Sequence, residues 1–109
     1  MADAFTFNNG FNAAPCGYKK LTVSSTAVGF ASNDFARTGV NALFLIVETA
    51  QIRWRDDGTN PTATDGMLMS PGDPPFPYSG NPGLIKFIRV GGTDGTLHAS
   101  GYSIGEAGK

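Results

Sequence analysis

"NALFLIVETAQIRWRDDG", residues 41 to 58, changes its hydrophobic pattern halfway along. The first half is a continuous apolar run, as expected of a central strand covered on both faces. The second half alternates strictly, with Ile52 and Trp54 inward and Arg53 and Arg55 outward, as on a strand with one face in a core. The flanking stretches repeat the second pattern. "YKKLTVSS" (18 to 25) sets Leu21 and Val23 on one face, and "TAVGF" (26 to 30) continues it past a bulge or bend. "GMLMS" (66 to 70) reads as a short strand and "GLIKFIRV" (83 to 90) as a well-formed one. "GGTDG" then turns the chain, with Asp94-Gly95 as a hairpin signal. "TLHASGYSI" (96 to 104) returns with Leu97 and Ala99 on one face and His98, Ser100 and Tyr102 on the other.

Fifteen glycines and seven prolines in 109 residues leave little room for helix. The one candidate, "SNDFARTG" at 32 to 39, offers a single turn at most. Breakers recur at the spacing of short strands, so the fold class expected is all-β: a small antiparallel β-sandwich or jelly roll of about seven to eight strands. The sandwich is expected over 18 to 104, with a polar tail at 105 to 109. Residues 1 to 17 are expected to form an extended N-terminal arm. Its Phe5, Phe7 and Phe11 sit among small and polar residues, too interrupted for a core strand and too aromatic to be left in water. Such an arm either folds back over its own sandwich or anchors on a neighbouring subunit.

Charged residues make up only 16% of the chain and the net charge is −1, which removes the electrostatic case for nucleic acid or an anionic membrane. No apolar run approaches a membrane span, and "MADAFTFNNG" reads as the start of a protein made in a cytoplasm, without a signal peptide. Cys16 is the single cysteine, so no internal disulfide can form and packing alone must hold the fold.

The longest irregular stretch, "IRWRDDGTNPTATDGMLMSPGD" (52 to 73), packs two arginines around a tryptophan and then runs through Asp, Gly, Thr, Asn and Pro. Asp56, Asp57 and Asp65 do not fit the spacing of a calcium loop, and Thr and Asn form turns with their own backbone, so no metal is expected. Arg53 and Arg55 leave the same strand face. They either grip carboxylates of another protein or pair within this chain. Asp57 and Asn60 lie in the following loop. "PGDPPFPYSGNPG" (71 to 83) is stiffened by proline and reads as a crossover between sheets, with Pro75, Phe76 and Tyr78 as contact candidates.

Catalysis has little to work with. His98 is the only histidine, which excludes a His-based metal cluster, and no G-x-S-x-G turn accompanies Ser100. No cofactor loop and no small-molecule substrate are indicated. Trp54, Phe76, Tyr78 and Tyr102 could instead form a stacking platform for sugars, the reading of a carbohydrate-binding module.

The block "IVETAQIRWRDDGTNPTATDGMLMSPGDPP" followed by "IKFIRVGGTDGTLHASGY" resembles a family of small tailed-phage virion proteins. The matching positions are Val47 to Ala50, Arg53, Asp57-Gly58-Thr59, Pro61 to Thr64, Gly66, Gly72-Asp73 and Thr96-Leu97. The D-G-T-x-P-T-A-T-x-G string is the most specific part, and the match covers about the C-terminal two-thirds. The Pro-rich insert after Gly72-Asp73 departs from the family's compact form. The resemblance implies a structural protein of the particle rather than an enzyme. First among the implied roles is a capsid decoration, or cement, protein on the capsid surface that binds the major capsid protein and copies of itself as a dimer or trimer. A neck, tail or baseplate accessory protein is the alternative. The contact residues expected on this reading are Phe5, Phe7, Phe11, Arg53, Arg55, Asp57, Asn60, Pro75, Phe76 and Tyr78.

Overall fold

A computed structural model describes residues 11–35 and 39–106. Eight strands follow one another: β1 (Phe11–Val23), β2 (Val28–Gly29), β3 (Ala42–Glu48), β4 (Ile52–Arg55), β5 (Met67–Met69), β6 (Phe76–Ser79), β7 (Lys86–Arg89) and β8 (Gly95–Glu106). They form two antiparallel four-stranded sheets, a long one ordered β1-β8-β3-β6 and a short one ordered β2-β7-β4-β5. No helix occurs among the described residues. The chain is thus the small all-β sandwich its patterning predicts.

Alternation decides which side chains meet between the sheets. The long sheet sends in Leu21 and Val23 from β1, Leu43, Leu45 and Val47 from β3, and Leu97 and Ala99 from β8. The short sheet answers with Ile52, Met69 and Phe87, and Ile85 joins them just ahead of β7. Each fully buried side chain of this size contributes roughly 1.5–3 kcal/mol. Phe87 stands edge-on to Phe30 (ring centroids 5.7 Å apart), and Phe30 in turn meets Phe35 at 5.4 Å. Phe35 closes one end over Gly101, where an added Cβ would come within 2.8 Å of its ring.

Four expectations give way. The run from Ala42 to Val47 is not covered on both faces: Leu43, Leu45 and Val47 are buried, while Phe44 and Ile46 are exposed. Two layers can cover only one side of each sheet, and nothing among the described residues forms a third. Asp94-Gly95 does not close a hairpin, because β7 pairs with β2 and β4 whereas β8 pairs with β1 and β3. The turn is a corner between sheets, tied by the Arg89–Asp94 ion pair (2.5 Å). It is possible because Gly95 has no Cβ to strike Ile52 Cγ2, which would lie 2.7 Å away. "TAVGF" does not extend β1; it crosses to the short sheet, where Val28 and Gly29 pair with Phe87 and Lys86.

The fourth concerns the arm. Residues 11 to 17 belong to β1, paired with β8 from Phe11↔Glu106 to Gly17↔Gly101, so the sandwich runs from 11 to 106 rather than 18 to 104. A bulge between Pro15 and Gly17 absorbs Cys16, which turns inward and is 2% exposed. That bulge disguised the strand, since one extra residue shifts the alternation by one position. Phe5 and Phe7 lie outside the described residues.

All four sheet edges are blunted against strand pairing. On the short sheet β2 has two residues and β5 three. On the long sheet β6 carries Pro77, and β1 carries Pro15, the bulge and an inward-facing Lys19 bonded to Asp34 at 3.3 Å. Short edges, prolines, bulges and inward charges are the devices that prevent edge-to-edge association. Among the described residues, what is left open to a partner is therefore a face or a loop.

Candidate protein-contact surfaces

Two surfaces stand out, and the first grows from β4. Arg53 and Arg55 leave the strand on one face, and both are spent on the loop that follows. Arg53 Nε donates to the Ala63 carbonyl and Nη1 to the Gly66 carbonyl, each at 3.0 Å. Arg55 forks onto Asp57, with Nε to Oδ1 at 3.0 Å and Nη2 to Oδ2 at 2.5 Å, and its Nη1 reaches Asp65 at 3.2 Å. The hydrogen bond from Arg55 holds the Asp57 carboxyl below the usual carboxylate range, and Asp57 in return raises the Arg55 guanidinium. Of the two readings of the arginine pair, the pairing found is internal.

The loop closes on itself as well. Thr62 and Asp65 exchange backbone hydrogen bonds at 2.9 and 3.2 Å, and Pro61 is buried beneath. Gly66 sits at φ +144° against Arg53 Cβ and the Trp54 carbonyl, each about 3.1 Å from where a Cβ would be, so only glycine serves there. The result is a rigid hook presenting Asn60, Thr62, Ala63 and Thr64 to solvent. Beside it lie the exposed side chains of Met67 and Leu68 on the edge strand β5. Removing the Arg53 guanidinium should free both carbonyls at a cost of about 1–3 kcal/mol. Arg53→Ala should therefore be cut faster by protease between residues 56 and 66 while the core resists. An unchanged cleavage rate would mean the loop holds without that side chain.

Two expected contact residues turn inward instead. Phe76 packs on Trp54 (5.5 Å between centroids), and Tyr78, 8% exposed, meets the same indole edge-on at 6.1 Å. Strand β6 pairs Leu45 with Phe76 and Leu43 with Tyr78, so both rings share the inward side of their partners. Tyr78 Oη donates to Asp56 Oδ2 at 3.0 Å, and burial followed by that bond pushes its hydroxyl up to about 12. Pro75, Asp57 and Asn60 remain exposed. Tyr102 stands on the outer side of the other sheet beside Phe44, so Trp54, Phe76, Tyr78 and Tyr102 do not share one platform.

The second surface is the outer face of the long sheet. Its rows follow from the register. Thr22, Thr96 and Glu48 form the first, and Lys20, His98 and Ile46 the second. Tyr18, Ser100, Phe44 and Pro77 make the third. Pro15, Tyr102, Ala42 and Ser79 make the fourth, Ala13 and Ile104 the fifth, and the register ends at Phe11 and Glu106. In the third and fourth rows the face carries no charged residue, and Tyr18 and Phe44 there are 59% and 50% exposed. An antiparallel sheet with one face on a core ordinarily carries polar residues on the other. At the charged end Tyr18 Oη lies 2.5 Å from His98 Nδ1 and Glu48 Oε1 lies 2.6 Å from Nε2, so both ring nitrogens are hydrogen-bonded. Among the described residues no cluster of three or more His, Cys, Asp or Glu side chains could hold a metal ion.

The signal for this second surface was in the sequence, as an apolar run too long for one core. The pattern alone reads as cover on both faces, whereas Phe44 and Ile46 are exposed. Comparison with known protein families, curated proteins and solved structures finds no match to this chain. Fold and surfaces define the class: a small β-sandwich with blunted edges, one apolar sheet face and one braced polar loop.

Proposed function

We propose that this chain is a structural protein of a tailed-phage particle, a capsid decoration protein that clamps neighbouring subunits of the shell. The observation that carries this reading is the state of the segment resembling the virion family. Residues 57 to 66 form a hook held by Arg53, Arg55 and Asp65, with its small polar side chains turned out next to Met67 and Leu68. A loop already fixed in shape loses little conformational freedom on contact, so more of its interaction energy appears as affinity. On a lattice each protein meets several shell subunits at once. Weak contacts then act as intramolecular ones, and the shell is stabilised because only the assembled state offers the site. The major capsid protein is the partner this requires.

Copy number tests the reading directly. Quantitative mass spectrometry of purified particles should find this chain near-stoichiometric with the major shell protein. A dozen or fewer copies per particle would move it to the neck, tail or baseplate, and its absence from particles would end the virion reading.

A further inference from the structure

Three side chains on the outer face of the long sheet form a hydrogen-bonded chain that neither the braced loop nor the core uses. His98 on β8 stands between Glu48 on β3 and Tyr18 on β1, each diagonally across from it in the register. Glu48 Oε1 lies 2.6 Å from Nε2, and Tyr18 Oη lies 2.5 Å from Nδ1. A carboxylate can only accept, so Nε2 carries a hydrogen. A neutral ring then keeps its lone pair on Nδ1, and the phenol donates into it. The two rings lie 5.9 Å apart between centroids and only 22° from parallel, which holds the hydroxyl beside the nitrogen. Carboxylate, imidazole and hydroxyl in that order form the arrangement that activates a nucleophile. The base takes the proton as the oxygen attacks, and the carboxylate keeps the base in the right tautomer.

The hydroxyl end of this chain is open, and the base is sheltered. Tyr18 is 59% exposed, whereas the His98 side chain is 25% exposed. Beside the phenol the face dips into a hollow lined by Phe44, Ile46, Pro75 and Ser100. Ser100 Oγ is already bonded to Tyr102 Oη at 3.3 Å, so what the hollow offers a visitor is mainly hydrocarbon. A small apolar acyl group suits that lining better than a sugar or a phosphate. The chain's other two tyrosines have no imidazole beside them, because His98 is the only histidine. Tyr78 is buried and bonded to Asp56, and the Tyr102 hydroxyl meets only Ser100.

We propose that Tyr18 is an activated phenol, a site of covalent modification by small apolar acyl donors, with His98 as its base and Glu48 positioning that base. The step balances within these groups and the donor. Tyr18 Oη forms a bond to the acyl carbon while its proton passes to His98 Nδ1. The bond from that carbon to the leaving group then breaks, and the leaving group takes the proton from Nδ1. Around His98 the backbone donors of β8 are shared between β1 and β3, so none is free to hold an oxyanion. The acceleration is therefore that of the base alone, and the reaction stops at one phenyl ester per chain. This reactivity needs no shell and stands apart from the virion reading.

Acetylimidazole is the probe, used on the full chain with the labelled positions read by peptide mass spectrometry. Tyr18 should be acetylated first, and hydroxylamine should remove the label, as it does from a phenyl ester and not from a lysine amide. Exposure alone would favour Tyr18 over Tyr102, so dependence on the base is the deciding readout. His98→Gln leaves a polar side chain that is no base, and should slow labelling of Tyr18 at least about tenfold while Tyr102 keeps its rate. Glu48→Gln should slow Tyr18 less, by removing the charge that steadies the imidazolium. Tyr78 staying unlabelled reports that each variant is folded. A second measurement needs no variant. The ratio of Tyr18 to Tyr102 labelling, which cancels the probe's own response to pH, should fall as acid protonates the imidazole and removes its lone pair. The titratable groups facing His98 among the described residues are Tyr18 and Lys20 from β1 and Glu48 from β3. A ratio unmoved by His98→Gln in folded protein, or one that is flat across the acid range, would overturn the proposal.

Discussion

Phe87→Ala should lower the unfolding free energy by about 3–5 kcal/mol, while Phe44→Ala should lower it by less than about 1 kcal/mol at low protein concentration. The two phenylalanines occupy comparable positions, each inside a strand that has partners on both sides. Their faces differ. Phe87 is 0% exposed, inserted between the sheets and edge-on to Phe30, so truncation removes its transfer free energy and leaves a cavity that Phe30 and Ile52 cannot close. Phe44 is half in water already and loses chiefly its contact with the Tyr102 ring, 5.8 Å away between centroids. A domain of this size has only about 5–15 kcal/mol in hand, so the first substitution should shift the urea midpoint by a large fraction and the second barely move it. If the two midpoints fell together, the outer side of β3 would be as covered as the inner.

How much of this was legible beforehand depended on whether a residue's surroundings were local. Ile52, Trp54, Leu97 and Ala99 were placed on the right faces because strand alternation is a property of the chain itself. The corner at Asp94-Gly95 was not, because a D-G turn looks alike whether its strands lie in one sheet or two, and only the pairing of β7 with β4 decides. Arg53 and Arg55 were assigned to one face correctly. Whether they reached outward depended on the fold of the next ten residues, and those carry the acceptors, Asp57, Ala63, Asp65 and Gly66. Phe76 and Tyr78 misled because proline-rich crossovers usually stay outside. Here four residues of the crossover join the long sheet as an edge strand, and pairing with Leu43 and Leu45 turns both rings in. The paired state of Phe11 to Gly17 was hidden by a bulge that no composition rule reveals.

Tyr78 is also where pH should act most strongly. Its hydroxyl is raised from an ordinary value of 10.0 to about 12, first by burial and then by its bond to the Asp56 carboxylate, both of which disfavour the phenolate. The sign follows from linkage. A group whose folded value lies above its unfolded one contributes stability that is complete below the unfolded value, here pH 10.0, and is lost as pH climbs toward about 12. Across that window the loss should reach about 2–3 kcal/mol, since each unit of displacement is worth about 1.4 kcal/mol. Other groups titrate in the same range, so the informative measurement is a difference. Tyr78→Phe should cost about 1 kcal/mol at neutral pH for the missing hydrogen bond, and Asp56, being exposed, turns to water instead. Between pH 10.0 and about 12 the stability of the variant should fall less steeply than that of the parent, so that the two urea-denaturation curves approach and cross. Ultraviolet titration should lose the tyrosinate component near pH 12 in the same variant. Parallel alkaline limbs would mean that the Tyr78 hydroxyl reaches water in the folded protein, and that the seam joining β6 to the base of the loop at Asp56 is open.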